Sequence, residues 1–212
     1  MSAPSTSRAR AALVSLWRAL IAALAWWGVW SALDGGGPDS SLGWFDLAYF
    51  TQVCGVLVGL TATGSLLWPL WHRGELEGRR GVLRGASAAC SMLTLVVFAT
   101  LLGGDYHSTQ SLLLHLVVPL LATADWLFVG RNQTGLPLWV PFAWLLVPLA
   151  YLPVYLWASG VGGALYGFLV PGEASFVPVA AVLLVAFLVL FLGYWGLGRL
   201  RGAILRQRGP VG

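Results

Sequence analysis

The chain has no lysine, and charged residues of every kind make up only 9% of its 212 residues. A soluble domain usually carries about a quarter charged residues, and a mean hydropathy of +0.79 is equally far from that class. The shortage of charge therefore excludes an ordinary soluble protein. At this length, six membrane spans with short connections would leave no room for a separate soluble domain.

Cysteine is also scarce. Cys54 and Cys90 both lie in apolar stretches, and no C-x-x-C or Cys/His pairing suggests a metal site. We expect Cys54 towards the outer side and Cys90 near the inner end of its span, too far apart in depth to bridge. The sequence thus predicts neither a metal nor a cofactor, with both thiols acting as small hydrophobic groups.

A net charge of +4 raises the question of nucleic acid binding. The arginines, however, cluster at the ends of apolar stretches and do not follow one polar face. The sequence therefore predicts no nucleic-acid partner.

Six apolar stretches have about the length needed to cross a bilayer. The fifth contains Pro141, Pro148 and Pro153, so we expect it to be bent. The predicted fold is all-α, with a cytoplasmic N-terminus (1–10), a six-helix transmembrane domain (11–198) and a basic cytoplasmic tail (199–212). The predicted spans are 11–33, 44–71, 86–102, 109–129, 138–159 and 177–197.

The arginines also predict orientation, with both termini in the cytoplasm and the chain in the cell membrane, as in a bacterial inner membrane. Arg18, near the start of the first span, can extend to the same side. The remaining arginines then all fall inside: Arg8, Arg10, Arg73, Arg79, Arg80, Arg84, Arg131, Arg199, Arg201, Arg206 and Arg208. No arginine is left for the outer loops, which carry Asp34, Asp39, Asp105 and Glu173.

His115 is the clearest polar residue at depth, since aliphatic residues surround it in the fourth span. An ionisable group in the membrane suggests function, although a neutral imidazole bonded to a neighbouring helix is the alternative. Thr51 lies seven residues after Trp44, and His115 six after Thr109. At 1.5 Å of rise per residue, both fall roughly 10 Å below the outer boundary. A hydroxyl and a neutral imidazole at one depth predict a nucleophile and its base, unless Thr51 bonds back to its own helix.

Three further residues are candidate supporting or substrate-binding groups. Cys54 lies one turn below Thr51 and is a rival nucleophile only if His115 is close. Asp46 could orient the histidine or line a polar entrance, and Tyr151 could donate a hydrogen bond to an oxyanion. Asp125 is ten residues from His115, about 15 Å along a helix, which is too far for it to be the acid of a catalytic triad. We expect it to pair with a loop arginine.

Several short motifs carry a resemblance to a known family. They are Tyr49-Phe50-Thr51-Gln52, His115-Leu116-Val117-Val118-Pro119, Asp125-Trp126-Leu127-Phe128, and Tyr151 and Tyr155 with Tyr166-Gly167-Phe168-Leu169. Together they resemble the androgen-induced and androgen-dependent TFPI-regulating superfamily of multi-pass membrane proteins, in its bacterial branch.

That resemblance implies six helices, cytosolic termini and an intramembrane hydrolase with a threonine nucleophile and a histidine. By position these are Thr51 and His115. The animal members act on esters of hydroxy fatty acids. Bacterial relatives typically have a Ser-Asn pair a few residues after the threonine, where this chain has Cys54-Gly55.

The leading hypothesis is a hydrolase of lipid esters, with a substrate that enters from the outer leaflet. The second is a non-enzymatic membrane protein that binds or transports a lipid, although no internal repeat supports a transporter. The third is a b-type haem protein, which needs two facing histidines. His107 and His115 share one helix or its end, while His72 is expected at the opposite surface.

Overall fold

The computed structural model describes residues 5–34, 46–72, 75–78 and 81–207. These residues form helices and connecting turns, with no strand among them. Six of the helices are long and apolar enough to cross a membrane. The chain is therefore an all-α, multi-pass membrane protein with the predicted number of spans.

The helix boundaries differ from the predicted ones in instructive places. The third helix begins four residues earlier than expected, and the sixth continues ten residues further. Trp44 lies outside the described residues, and the chain at 47–49 forms a turn before the second helix. The helices are α1 (Ser5–Asp34), α2 (Phe50–Trp71), α3 (Val82–Leu101), α4 (Thr109–Phe128), α5 (Trp139–Gly162) and α6 (Phe176–Gln207).

Helices α1, α2 and α4 approach one another closely around Gly55. A Cβ atom at this position would lie 2.9 Å from Leu114 and 2.9 Å from Val29, closer than real Cβ atoms come to other groups. Small residues allow membrane helices to pack at short distances. Gly55 therefore has a packing role here, and its neighbour Leu114 adjoins His115 in sequence.

Helix α4 widens into a π-helical turn over Leu113–Val117, where the N–H of Val118 donates to the carbonyl of Leu113. Pro119 explains the position of this turn. Because proline has no N–H, the carbonyl of His115 loses the donor that an α-helix would supply four residues later. Single π-helical turns of this kind are frequent at functional sites, and this one contains His115.

Helix α5 is interrupted, as its prolines predict. One helical segment ends at Trp144 and the next begins at Leu146. Pro148 has no N–H to donate to the carbonyl of Trp144. Between the two segments, the N–H of Leu145 donates to the carbonyl of Phe142, three residues earlier, over 3.2 Å. The bend brings the second segment beside the cavity described below.

Helix α6 is longer than a bilayer is thick. Its 32 residues span about 48 Å, against roughly 30 Å of hydrocarbon. The stretch 199–207, expected as a tail, is helical. Arg201 donates hydrogen bonds to the carbonyls of Leu127 and of Phe128, the latter over 2.7 Å. The basic end of α6 therefore caps the C-terminus of α4.

Buried charges join the helices at this same end, which we call the arginine end. Nε of Arg84 lies 3.4 Å from a carboxylate oxygen of Asp125, which confirms the expected pairing. Arg84 is in the first turn of α3, however, and not in a loop. Glu77 lies 3.5 Å from Arg84 and 3.9 Å from Arg18. This cluster fixes α1, α3 and α4 against the short connection after α2.

The prediction that the two cysteines lie too far apart in depth is wrong. Both are fully buried and free, and the Cys54 and Cys90 thiols are neighbours. Because α3 begins at Val82 and not near Ala86, Cys90 lies nearer the middle of its helix than the sequence suggested.

Candidate functional site

The structure brings Thr51 and His115 together. Oγ1 of Thr51 lies 3.1 Å from Nε2 of His115, although the residues are 64 positions apart in sequence. Thr51 is the second residue of α2, which begins after Tyr49 in an extended conformation (φ −70°, ψ 139°). The sequence predicted Thr51 in a helix that begins at Trp44. The helix instead begins at Phe50, after a turn, and the Thr51 side chain still meets His115.

His115 is held from two directions. Its Nδ1 lies 3.3 Å from the carbonyl oxygen of Ser111, one turn earlier in α4. The imidazole ring also stacks on Phe98 of α3, with ring centroids 3.8 Å apart and planes inclined by 17°. Phe98 in turn packs edge-on against Tyr106. The side chain is 9% exposed, so its ring has little freedom to rotate.

These contacts determine which nitrogen carries the proton. A carbonyl oxygen can only accept, so the contact with Ser111 requires a hydrogen on Nδ1. In the neutral imidazole, Nε2 is then an acceptor, and the Thr51 hydroxyl donates to it. The alternative in which Thr51 bonds back to its own helix is not the geometry observed. This is the arrangement that an activated hydroxyl nucleophile needs.

A tyrosine cluster holds the N-terminus of α2. Tyr151 donates to the carbonyl of Ala48 over 2.8 Å. The Tyr166 hydroxyl accepts from the N–H of Phe50 over 2.9 Å, which satisfies one of the backbone donors that a helix start leaves open. Burial raises the pKa of the Tyr166 phenol, so this hydroxyl stays protonated. Tyr151 thus lies in the site, where it supports the segment carrying Thr51 through a bond to a carbonyl.

Asp46 lies four residues before α2 and is partly exposed. Partial burial raises the pKa of its carboxyl group. The hydrogen bond that orients His115 goes to the backbone of Ser111, which is the position an orienting carboxylate would occupy. Asp46 is consequently better placed to border the site than to orient the imidazole.

Cys54 is buried (1% exposed) against other core residues, and its thiol neighbours that of Cys90. Thr51 lines the cavity described next, and Cys54 does not. The geometry therefore favours the threonine over the cysteine as the reactive group. Gln52, between them, is also buried, and neither atom of its amide has a hydrogen-bond partner among the described residues.

An apolar cavity reaches the Thr51–His115 pair. About 850 Å³ of empty space lies within it, including its open mouth. Exposed Leu102 and Leu149 form part of its lining, so the cavity reaches the surface beside these residues. Its walls are Phe50, Thr51, Leu93, Thr94, Val97, Leu102, His115, Pro148, Leu149, Tyr151, Leu152, Tyr155, Tyr166, Phe168, Leu169, Ala180, Leu183, Leu184 and Phe187.

The other histidines lie away from this pair. His107 is exposed in the connection before α4, 3.8 Å from Asp105, and His72 stacks on Trp68 at the end of α2. Within the described ranges, no three His, Cys, Asp or Glu side chains are grouped as metal ligands.

Thr51 and His115 stand out in the sequence, whereas two residues that position His115 do not. Phe98 is one apolar residue among many in α3, and Ser111 acts through its backbone carbonyl, so neither had a distinctive signal. Pro119 did carry one, because a proline inside an apolar span predicts a local distortion of the helix.

No protein-family model, curated protein or solved structure matches this chain. The geometry of the site is therefore what indicates a function for this chain.

Proposed function

We propose that this chain is an intramembrane hydrolase of fatty-acyl esters, with Thr51 as nucleophile and His115 as general base. The observation that carries the proposal is the hydrogen bond from the Thr51 hydroxyl to Nε2 of His115, at the wall of a cavity suited to acyl chains. The expected orientation would put this site towards the outer leaflet of a bacterial plasma membrane.

The reaction would proceed in two steps. Oγ1 of Thr51 attacks the acyl carbonyl carbon while its proton passes to Nε2 of His115. The bond from the carbonyl carbon to the alcohol oxygen then breaks, and the same proton moves to the departing alcohol. The acyl group is now an ester of Thr51. His115 next takes a proton from water, which attacks this ester, and the released threonine oxygen recovers the proton.

The N-terminus of α2 would help to stabilise the developing negative charge. Backbone N–H groups in the first turn of a helix lack intrahelical partners and carry a partial positive charge. The N–H of Phe50 is already bonded to Tyr166. The N–H of Thr51 itself is therefore the donor that we assign to the oxyanion.

The cavity supports a substrate that arrives from the bilayer. An opening beside exposed Leu149 that faced the bilayer would let an acyl chain enter without crossing water. Fatty-acyl lipids of the surrounding membrane are thus the proposed partners.

The same apolar cavity favours one alternative, a protein that binds or transports a lipid without cleaving it. In that case the bond between Thr51 and His115 would serve helix packing, as polar pairs do in other membrane proteins. The two functions differ in whether the Thr51 oxygen becomes covalently modified.

A labelling experiment separates them. Membranes containing the wild type, Thr51→Ala, His115→Ala and Cys54→Ala would be treated with a fluorophosphonate probe, beside an assay of lipid-ester hydrolysis. We expect labelling and turnover in the wild type and in Cys54→Ala, and neither in the other two variants. A folded Thr51→Ala protein with normal turnover would rule out the mechanism. A folded wild type with no labelling and no turnover would favour the lipid-binding protein.

A further inference from the structure

No arginine or lysine is among the described residues that line the cavity. There is no lysine, and no arginine occurs in the stretches 19–72, 85–130 and 132–198, which supply every residue of the cavity wall. The arginine nearest in sequence to a wall residue is Arg84, nine positions before Leu93 on α3. That spacing is about 13 Å of helix, and Arg84 is bonded at the arginine end.

Three carboxylates lie close in sequence to residues of the cavity wall. Asp46 lies four residues before Phe50, Asp105 three residues after Leu102, and Glu173 four residues after Leu169, which are all wall residues. Asp105 and Glu173 are exposed. An anionic group approaching this end of the bundle would therefore meet carboxylates of like charge.

The tyrosine and threonine hydroxyls around the pair are also engaged. Tyr166 accepts from the N–H of Phe50 and is hydrogen-bonded to Tyr151. Tyr151 donates to Ala48, Tyr155 to the carbonyl of Leu169, and Thr94 to the carbonyl of Ser91 over 2.7 Å. These three protons are thus already shared with backbone oxygens. The polar atoms available to a ligand are chiefly those of the Thr51–His115 pair, which is enough for one ester group.

An ionised carboxylate or phosphate placed in such a cavity would lose its hydration without gaining a partner. Burial of an unpaired ion costs several kcal/mol even after the protein relaxes. An uncharged ester loses far less, because its chains are apolar and its carbonyl can accept from the N–H of Thr51 at the start of α2.

We propose that the cavity selects esters without ionised groups, such as acyl esters of neutral alcohols or of glycerol, and discriminates against esters that carry a free carboxylate or phosphate. This inference builds on the proposed hydrolase function. It narrows the substrate class, and it runs against the free carboxylate of the hydroxy fatty acid esters that act as substrates in the animal members of the resembled family.

A matched pair of substrates tests it directly. One is a long-chain acyl ester of a hydroxy fatty acid, and the other is the same molecule with its carboxylate converted to a methyl ester. Both would be presented at pH 8 in uncharged detergent micelles, into which both partition fully. We expect kcat/KM to be at least about tenfold higher for the methyl ester. Equal or faster turnover of the carboxylate form would overturn the proposal.

A binding measurement keeps the charge question separate from catalysis. In the Thr51→Ala protein, each compound would compete with a neutral fluorescent acyl probe. We expect the methyl ester to displace the probe at least about tenfold more effectively. If the wild type hydrolysed neither compound, the proposed hydrolase function would be rejected. The competition would still show whether the cavity binds the neutral ester in preference to the carboxylate.

A pair of arginine variants that should differ in this preference provides the final control. Leu102 lines the cavity and is 42% exposed, whereas its neighbour Leu101 is 56% exposed and does not line it. Leu102→Arg should improve binding of the carboxylate form by about tenfold relative to the methyl ester, and Leu101→Arg should leave the ratio unchanged. Equal effects of the two variants would show that the preference does not arise in this cavity.

Discussion

The N–H of Phe50 donates a hydrogen bond of 2.9 Å to the hydroxyl of Tyr166, 116 residues later in the chain. Phe50 is the first residue of α2, and Thr51 follows it. The connection between α5 and α6 thus fixes the start of the helix that carries the proposed nucleophile. Glycines with positive φ border this connection, Gly163 at 86° and Gly172 at 90°, conformations that other residues rarely adopt.

Tyr166→Phe should lower kcat by about tenfold, because the buried N–H of Phe50 loses its acceptor and Thr51 loses part of its support. The ring contacts with Tyr49 and Tyr155 would remain, so the protein should still fold. Turnover and thermal unfolding in detergent would be measured together. Tyr49→Phe, which removes a hydroxyl outside this bond, is the control. A Tyr166→Phe enzyme with unchanged kcat would show that the bond is irrelevant to Thr51.

Phe98→Leu should lower kcat by about tenfold and change KM little. Phe98 stacks on the imidazole of His115 but does not line the cavity, so its loss affects the base and not the binding of substrate. Steady-state kinetics would separate the two constants. Phe142→Leu, at a half-exposed position of α5, is the matched control. A rise in KM alone would contradict the positioning role.

Gly55→Ala should destabilise the protein by about 1–3 kcal/mol, since its new methyl group would meet Leu114 and Val29 at 2.9 Å. Gly64 lies on the same helix, and a Cβ atom added there would meet nothing within 4 Å. Gly64→Ala should therefore leave stability unchanged or raise it slightly. Thermal unfolding of both variants would compare them. Adding Leu114→Ala to Gly55→Ala should recover part of the loss, and no recovery would place the collision elsewhere.

Arg84→Met should cost about 3–5 kcal/mol, because it leaves the buried carboxylate of Asp125 without its ion pair and Gln133 without its 2.9 Å donor. The double variant Arg84→Met/Asp125→Leu should be less destabilised than Arg84→Met alone. Unfolding free energies in a double-mutant cycle would measure this coupling. Arg206→Met, at an exposed position of α6, should have little effect. Additive losses would mean that the pair is not coupled.

The amino-acid composition was sufficient to predict the fold class. With so few charges, six apolar stretches had only the membrane as a stable environment, so the number of spans followed from length and hydropathy alone. The arginine pattern also marked the ends of the helices. The boundaries were less accurate where polar residues continue a helix, as at Val82 and after Leu197, because hydropathy does not detect a helix that extends beyond the apolar layer.

The sequence identified Thr51 and His115 as candidates, since polar side chains at depth are few. The 3.1 Å contact between them depends on tertiary structure: the turn before α2, the π-helical turn ahead of Pro119 and the close approach allowed by Gly55. The proton arrangement depends on Ser111 and Phe98, and the supporting role of Tyr151 on a bond to Ala48. Such contacts join residues far apart in sequence, and hydropathy and helical periodicity report only local environment. Which groups meet was therefore decided by the packing of the helices.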